Sequence, residues 1–184
     1  MHTIDPKNSE LLLIDFQTRL MSAISDAAVC IENARRLLVA AELLGLRRTI
    51  TEQYPQGLGH TVPELAGSGS NTFEKVTFDG MKTDAIAARL EGGADLIVAG
   101  CEAHVCVLQT VLGARHQGRK VFVVADAIGS RSEDNRQAAI SRMRAQGVEI
   151  VTTEMVLFEW LVSSDHQNFK TVSALIRSAP SSSC

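Results

Sequence analysis

Asp95-Leu96-Ile97-Val98-Ala99-Gly100-Cys101-Glu102-Ala103-His104-Val105-Cys106 is the stretch on which the reading of this chain turns. The apolar run that opens it reads as a parallel strand buried on both faces. Beyond it, Val107, Leu108, Thr110, Val111 and Leu112 recur with helical spacing. Cys106 therefore falls at or near the first turn of a helix that follows a strand. Free N–H groups and the helix dipole favour negative charge there. A thiol so placed can lose its proton near neutral pH and become a nucleophile. The alternative is a buried cysteine acting as a small hydrophobe.

Working outward, Leu11-Leu12-Leu13-Ile14 is a second short apolar run, ending at Asp15. Ile31 to Leu44 carries helical spacing, with Gly45 placed to end it. Arg47 to Thr51 reads as a strand, and Glu52 to Gly69 as a loop long enough to be functional. Thr72 to Phe78 is an extended segment containing Lys75, and Thr83 to Leu90 a helix. Lys120 to Ala125 is a further buried strand, ending at Asp126. Ser132-Glu133-Asp134-Asn135 starts a helix with capping chemistry. Val148 to Val151 is the last strand, followed by helices over Glu154 to Val162 and His166 to Ser178.

Continuous apolar strands alternating with amphipathic helices predict an α/β fold: a three-layer αβα sandwich with a central, mostly parallel sheet. The chain reads as one domain over 1–178 with a flexible Ser-rich tail over 179–184. Ligands in such sheets bind beyond the carboxyl ends of the strands. Asp15, Cys106 and Asp126 are all expected there.

The chain has 184 residues, 45% of them hydrophobic, and a net charge of −3. That balance gives no electrostatic case for a nucleic-acid or anionic membrane partner. No apolar stretch reaches the length of a membrane span. Met1, His2, Asp5 and Glu10 do not make a basic leader followed by a long apolar run. A cytoplasmic protein is expected, with its four cysteines (30, 101, 106 and 184) reduced and without finger-like metal spacing. No GxGxxG or GxxxxGK[ST] motif is present, which removes the dinucleotide and P-loop readings.

A cysteine nucleophile needs a base and a cation. Asp15 and Lys75 are the candidates, each with an ordinary alternative, a turn cap and a solvated strand-end charge. Phe16, Gln53 and Tyr54 are candidate pocket residues or simply loop packing. His104 is read as a surface or pocket-lining histidine, not the partner of a Cys–His dyad. Arg131 is set beside Asp126, with an ion pair to Glu133 or Asp134 as the alternative. Arg35, Arg36, Arg47 and Arg48 read as a solvated face.

Leu-Leu-Ile-Asp15-Phe-Gln, Lys75-Val-Thr-Phe78, Ala99-Gly100-Cys-Glu-Ala-His-Val-Cys106-Val and Val123-Val-Ala-Asp126-Ala together resemble the isochorismatase-like cysteine hydrolase superfamily, in the family's order. The resemblance runs from about residue 9 to 162. It is nearest to the isochorismatase-domain-containing branch, which shares Thr51-Glu-Gln-Tyr-Pro-Gln-Gly-Leu-Gly59 and Asp126-Ala-Ile-Gly-Ser-Arg131. The resemblance implies a catalytic triad on Asp15, Lys75 and Cys106. It also implies a non-proline cis peptide between Cys101 and Glu102, which with Cys106 would aim backbone N–H groups at an oxyanion.

A cysteine at position 106 implies the amidohydrolase side of the superfamily, acting on a small-molecule substrate, since isochorismatase itself lacks that cysteine. Metal-dependent members carry Asp-x-His in the loop, where this chain has Glu52-Gln53-Tyr54. No metal and no cofactor are therefore expected, and His60 is left without ligand partners. Ala103 stands where the family often has Thr. The family also implies a homo-oligomer, a dimer or larger, for which Leu157, Phe158, Trp160 and Leu161 offer apolar surface unless they pack on the sheet. Two other readings stay open: a silent member of the fold serving as a binding or scaffold partner, and a redox protein with Cys101 resolving Cys106.

Overall fold

A computed structural model describes residues 3–67 and 71–177. The expected tail over 179–184, with Cys184, lies outside the described residues. Six strands form one sheet, β1 (Ser9–Ile14), β2 (Arg47–Gln53), β3 (Asn71–Lys75), β4 (Asp95–Cys101), β5 (Val121–Gly129) and β6 (Glu149–Val151). Their order is β3-β2-β1-β4-β5-β6, and every neighbouring pair is parallel. The helices are α1 (Thr18–Met21), α2 (Ala27–Leu43), α3 (Pro55–Leu58), α4 (Asp84–Arg89), α5 (Leu108–His116), α6 (Glu133–Ala145), α7 (Thr153–Leu161) and α8 (Phe169–Arg177). None is long and apolar enough to cross a membrane.

Side chains alternate between two cores, as the pleat requires. Leu11, Leu13, Ile97, Ala99, Phe122 and Val124 meet α2, α7 and α8 on one face. Leu12, Ile14, Leu96, Val98, Val121 and Val123 meet α4, α5 and α6 on the other. The sheet is thus covered on both sides, the three-layer arrangement expected from the continuous apolar runs. Strand order reverses between β1 and β4, so a crevice opens at their carboxyl ends.

Several boundaries differ from expectation for tertiary reasons. β2 continues through Glu52 and Gln53, because the polar side chains that suggested a loop are buried and hydrogen-bonded. The chain that follows is held, with Thr61 bridged to Gln17. β3 stops at Lys75, leaving Val76 and Phe78 exposed. β5 runs past Asp126 to Gly129, with a register shift opposite Val98 and Gly100.

Asp126 is consequently not at a strand end. Its carboxylate accepts from Thr153 N (2.8 Å) and Thr153 Oγ1 (3.0 Å) at the start of α7. Its carbonyl accepts from Asn33 Nδ2 at 2.7 Å, so it joins α7 and α2 to the sheet. The arginine face is likewise paired: Arg35 and Arg36 bind Glu32, and Arg47 binds Glu10. Leu157, Trp160 and Leu161 are buried beneath the sheet, and of that set only Phe158 is exposed. Ser132 caps α6 as expected.

Gly100 is fixed by close approach. Its φ is +157°, and a Cβ there would lie 2.5 Å from Ile14 O and 2.6 Å from Ile14 Cβ. Only glycine lets β4 run against the end of β1 just ahead of Cys101.

Candidate active site

The chain leaves β1 through Asp15, which takes a left-handed backbone conformation (φ 55°). Its N–H stays on the sheet, donating to Thr51 O at 3.0 Å, and its carbonyl accepts from Gln17 N at 2.9 Å. The carboxylate is fully buried. Oδ1 accepts from Thr51 Oγ1 at 2.6 Å, and Oδ2 accepts from Lys75 Nζ at 2.7 Å. Lys75 is buried too, and Nζ donates a second bond to Gln53 Oε1 at 2.7 Å. The carboxyl ends of β1, β2 and β3 thereby deliver an ion pair out of contact with solvent. Such a pair persists only when its remaining hydrogen-bonding capacity is met.

Gln53 and Gln17 meet that need. Gln53 N donates to Gln17 Oε1 at 2.7 Å, Gln17 Nε2 returns a bond to Gln53 O at 3.0 Å, and Gln53 Nε2 reaches Val76 O at 2.9 Å. Gln53 therefore aims the Lys75 ammonium. Below it, Glu52 accepts from Thr61 N and Thr61 Oγ1, both at 2.7 Å, and pairs with His60 Nδ1 at 2.9 Å. Burial alone would raise the Glu52 carboxyl, but the Thr61 bonds and His60 hold it below the usual carboxylate value. The same contact raises His60, through its hydrogen bond to Glu52.

Cys106 arrives from β4 on a single wide turn, Ala103–Val107, that precedes α5. Val105 N and Val107 N both donate to Glu102 O, at 3.1 and 3.2 Å. The peptide Cys101–Glu102 is cis. Cys106 is 6% exposed, and its thiol sits within the electrostatic influence of both Asp15 and Lys75. Burial first, and the Asp15 carboxylate second, push this thiol up to about 12, against the opposing pull of Lys75. The surroundings of Cys106 thus oppose ionisation of the thiol near neutral pH. Helix N–H groups favour charge, but desolvation beside a carboxylate outweighs them here.

The other candidates separate. Cys101 points to the opposite core from Cys106 and meets Cys30 beside Gly129. A Cys101–Cys106 redox pair draws no support from this arrangement, because the two thiols are buried in different cores. Phe16 is fully buried in the core on the Cys101 side. Glu102 is held by Arg131, Nε to Oε1 at 2.7 Å, in place of the pairing of Arg131 with Glu133 or Asp134. His104 Nδ1 lies 3.1 Å from Ser130 Oγ. Tyr54 is exposed, in a left-handed conformation, and donates its N–H to Lys75 O at 2.9 Å. With Lys82 and Thr83 it borders a cavity of about 530 Å³ that also touches Lys75.

Thr51 and Gln17 were not foreseen as site residues. Both stand inside quoted motifs, yet only the parallel pairing of Ile14 with Thr51 brings the threonine hydroxyl to Asp15.

Comparison with known proteins places these features among relatives. The isochorismatase domain model matches residues 9–155. Isochorismatase domain-containing protein 2 of Danio rerio is 38% identical over 176 residues, covering 94% of this chain and 89% of that protein. The corresponding protein 2A of Mus musculus is 35% identical, covering 94% and 84%. Among solved structures, a protein described as MAR1 ribonuclease from Caenorhabditis elegans superposes with a TM-score of 0.90 at 36% identity, over 97% of this chain and 94% of that one. An octameric hydrolase of unknown specificity from Escherichia coli gives 0.89 at 25% identity, over 95% and 91%.

Proposed function

The chain belongs to the isochorismatase family, whose members are hydrolases, and on that premise we propose that it cleaves an amide-like C–N bond of a small molecule with Cys106 as nucleophile. The supporting observation is the buried Asp15–Lys75 ion pair, with the buried Cys106 thiol under the electrostatic influence of both. In the resting site the thiol keeps its proton. Asp15 takes that proton as Cys106 Sγ attacks the carbonyl carbon, and the C=O electrons move to oxygen. Lys75 then faces the thiolate as it forms. Backbone N–H groups around the Cys101–Glu102–Cys106 turn are the oxyanion donors in this reading.

Collapse of the tetrahedral species breaks the C–N bond, and the amine leaves with the proton from Asp15. Water, giving its proton to Asp15, attacks the thioester carbon. The C–S bond breaks, and the proton returns to Cys106. Tyr54, Gln53 and the cavity beside Lys75 are the proposed substrate side. The substrate is a small amide, and assembly into a homo-oligomer, as the octameric relative does, belongs to the same proposal.

The test is a panel of small amides scored by ammonia or amine release, with Cys106→Ala and Cys106→Ser beside the unaltered chain. Turnover that vanishes in both variants, with the fold retained, supports the proposal; turnover that survives in either overturns it. The sealed and protonated state of Cys106 favours a second reading, a silent family member that binds a partner. That reading requires no turnover on any amide and partner binding unchanged in Cys106→Ala. Ribonuclease activity, named for the worm relative, draws no support from the net charge of −3, and an RNA substrate in the same panel tests it.

A further inference from the structure

Two thiols that the proposed reaction does not use meet in a different core from Cys106. Cys30 stands in the first turn of α2, and Cys101 is the last residue of β4. Gly129 shows how near they come. A Cβ at that glycine would lie 3.3 Å from Cys101 Sγ and 3.6 Å from Cys30 Sγ, so both sulfurs border the space of one missing side chain. The Cys101 thiol is pushed well above the ordinary thiol value, by Cys30 first and by burial second.

The pair is not equally accessible. Cys30 is 4% exposed and Cys101 not at all. Cys30 lines a cavity of about 310 Å³ whose wall also includes Asp26, Asp126, Glu133 and Arg136. Glu133 is paired with Arg136, so Asp26 and Asp126 leave that wall net negative. Such a cavity admits a small neutral reagent and disfavours an anionic one. Cys101 directly precedes Glu102, whose carbonyl accepts from Val105 N and Val107 N in the turn that carries Cys106.

We propose that Cys30 and Cys101 are a reversible disulfide site, oxidised by a small neutral peroxide that enters through this cavity. Cys30 Sγ attacks a peroxide oxygen, and the O–O bond breaks. Cys30 becomes a sulfenic acid, and water leaves with the thiol proton. Cys101 Sγ then attacks the sulfenic sulfur. The S–O bond breaks, and a second water leaves with the Cys101 proton. The two thiols are oxidised by two electrons, and the peroxide is reduced. The new bond ties α2 to the chain immediately ahead of the Cys106 turn, and a dithiol reductant reopens it. None of these steps depends on what Cys106 catalyses, so the two proposals stand or fall separately.

The full chain carrying Cys106→Ala and Cys184→Ala keeps only this pair of thiols. Hydrogen peroxide is the probe, read by non-reducing peptide mapping. The expected product is one link within the chain, joining the peptides of Cys30 and Cys101 and opened by dithiothreitol. Oxidised glutathione, bulky and anionic, should be far less effective at equal concentration. Cys101 should resist peroxide in Cys30→Ala, a substitution that suits a helix. In the unaltered chain, closing the bond should raise the urea midpoint. It should also slow iodoacetamide at Cys106, because reagent reaches that buried thiol through local opening. Cys30 halted at its sulfinic acid, a link between chains, or a link to Cys106 formed first overturns the proposal. So does oxidised glutathione as effective as peroxide, Cys101 oxidised in Cys30→Ala, a lowered urea midpoint, or unslowed modification of Cys106.

Discussion

Alkylation of Cys106 as a function of pH tests the electrostatic reading of the site most directly. The thiol is pushed from 9.0 to about 12, a thousandfold drop in acidity worth on the order of 4 kcal/mol. At pH 8 about one molecule in ten thousand then carries a thiolate, against about one in ten for an unperturbed thiol. The rate of iodoacetamide modification, read by peptide mass spectrometry, should rise tenfold per pH unit beyond pH 10 without a plateau. The same peptide in urea-unfolded chain, which reports an ordinary thiol, should pass its midpoint near pH 9 and level off about one unit higher. Asp15→Asn removes the carboxylate that raises the thiol and leaves Lys75 unopposed, so its modification at pH 8 should be at least tenfold faster. Lys75→Met should slow it. A wild-type plateau at or below pH 8.5, or slower modification in Asp15→Asn, would refute the reasoning.

Three further outcomes follow from the geometry. Thr51→Val deletes the 2.6 Å hydrogen bond to Asp15 Oδ1 while keeping the side-chain shape. A bond to a charged acceptor is worth about 1.5–3 kcal/mol, so turnover on whichever amide the panel identifies should fall about 10- to 100-fold, with the urea midpoint nearly unchanged; full activity counts against Asp15 as the working base. Gly100→Ala drives a Cβ into the backbone at Ile14 and should cost on the order of 3 kcal/mol or more in urea unfolding. Gly118→Ala, where nothing lies within 4 Å of the added atom, should cost only about 1 kcal/mol, and equal losses would show that close packing is not the reason for Gly100. Glu52, held below its ordinary 4.5, stabilises above that pH and loses its contribution as pH falls through its lower folded-state value. The stability gap between wild type and Glu52→Gln should therefore close on acidification, and a gap that persists at pH 2 would contradict the assignment.

Much of the architecture was legible because its signals are local. Four-residue apolar runs and helical spacing report burial without knowledge of partners, and they gave the alternation that ends in a fully parallel sheet. Asp126 shows the limit. Its motif is present, but the register shift in β5 carries it into the seam between α7 and α2, and a shift depends on how two strands pair. Glu52 and Gln53 show it again: their polarity suggested a loop, whereas burial and hydrogen bonding across β1, β2 and β3 hold them in the sheet.

The sequence by itself determined the α/β layering, the order in which Asp15, Lys75 and Cys106 follow their strands, and the family to which those motifs belong, because each rests on neighbours along the chain. Only the tertiary structure decided that Cys101 faces away from Cys106, that Thr51 and Gln53 orient the ion pair, and that the Cys106 thiol is pushed toward its protonated form. Which face a side chain takes depends on strand register, and the acidity of a thiol depends on solvent excluded and charges brought near through space. Neither is written in the spacing of residues along one strand.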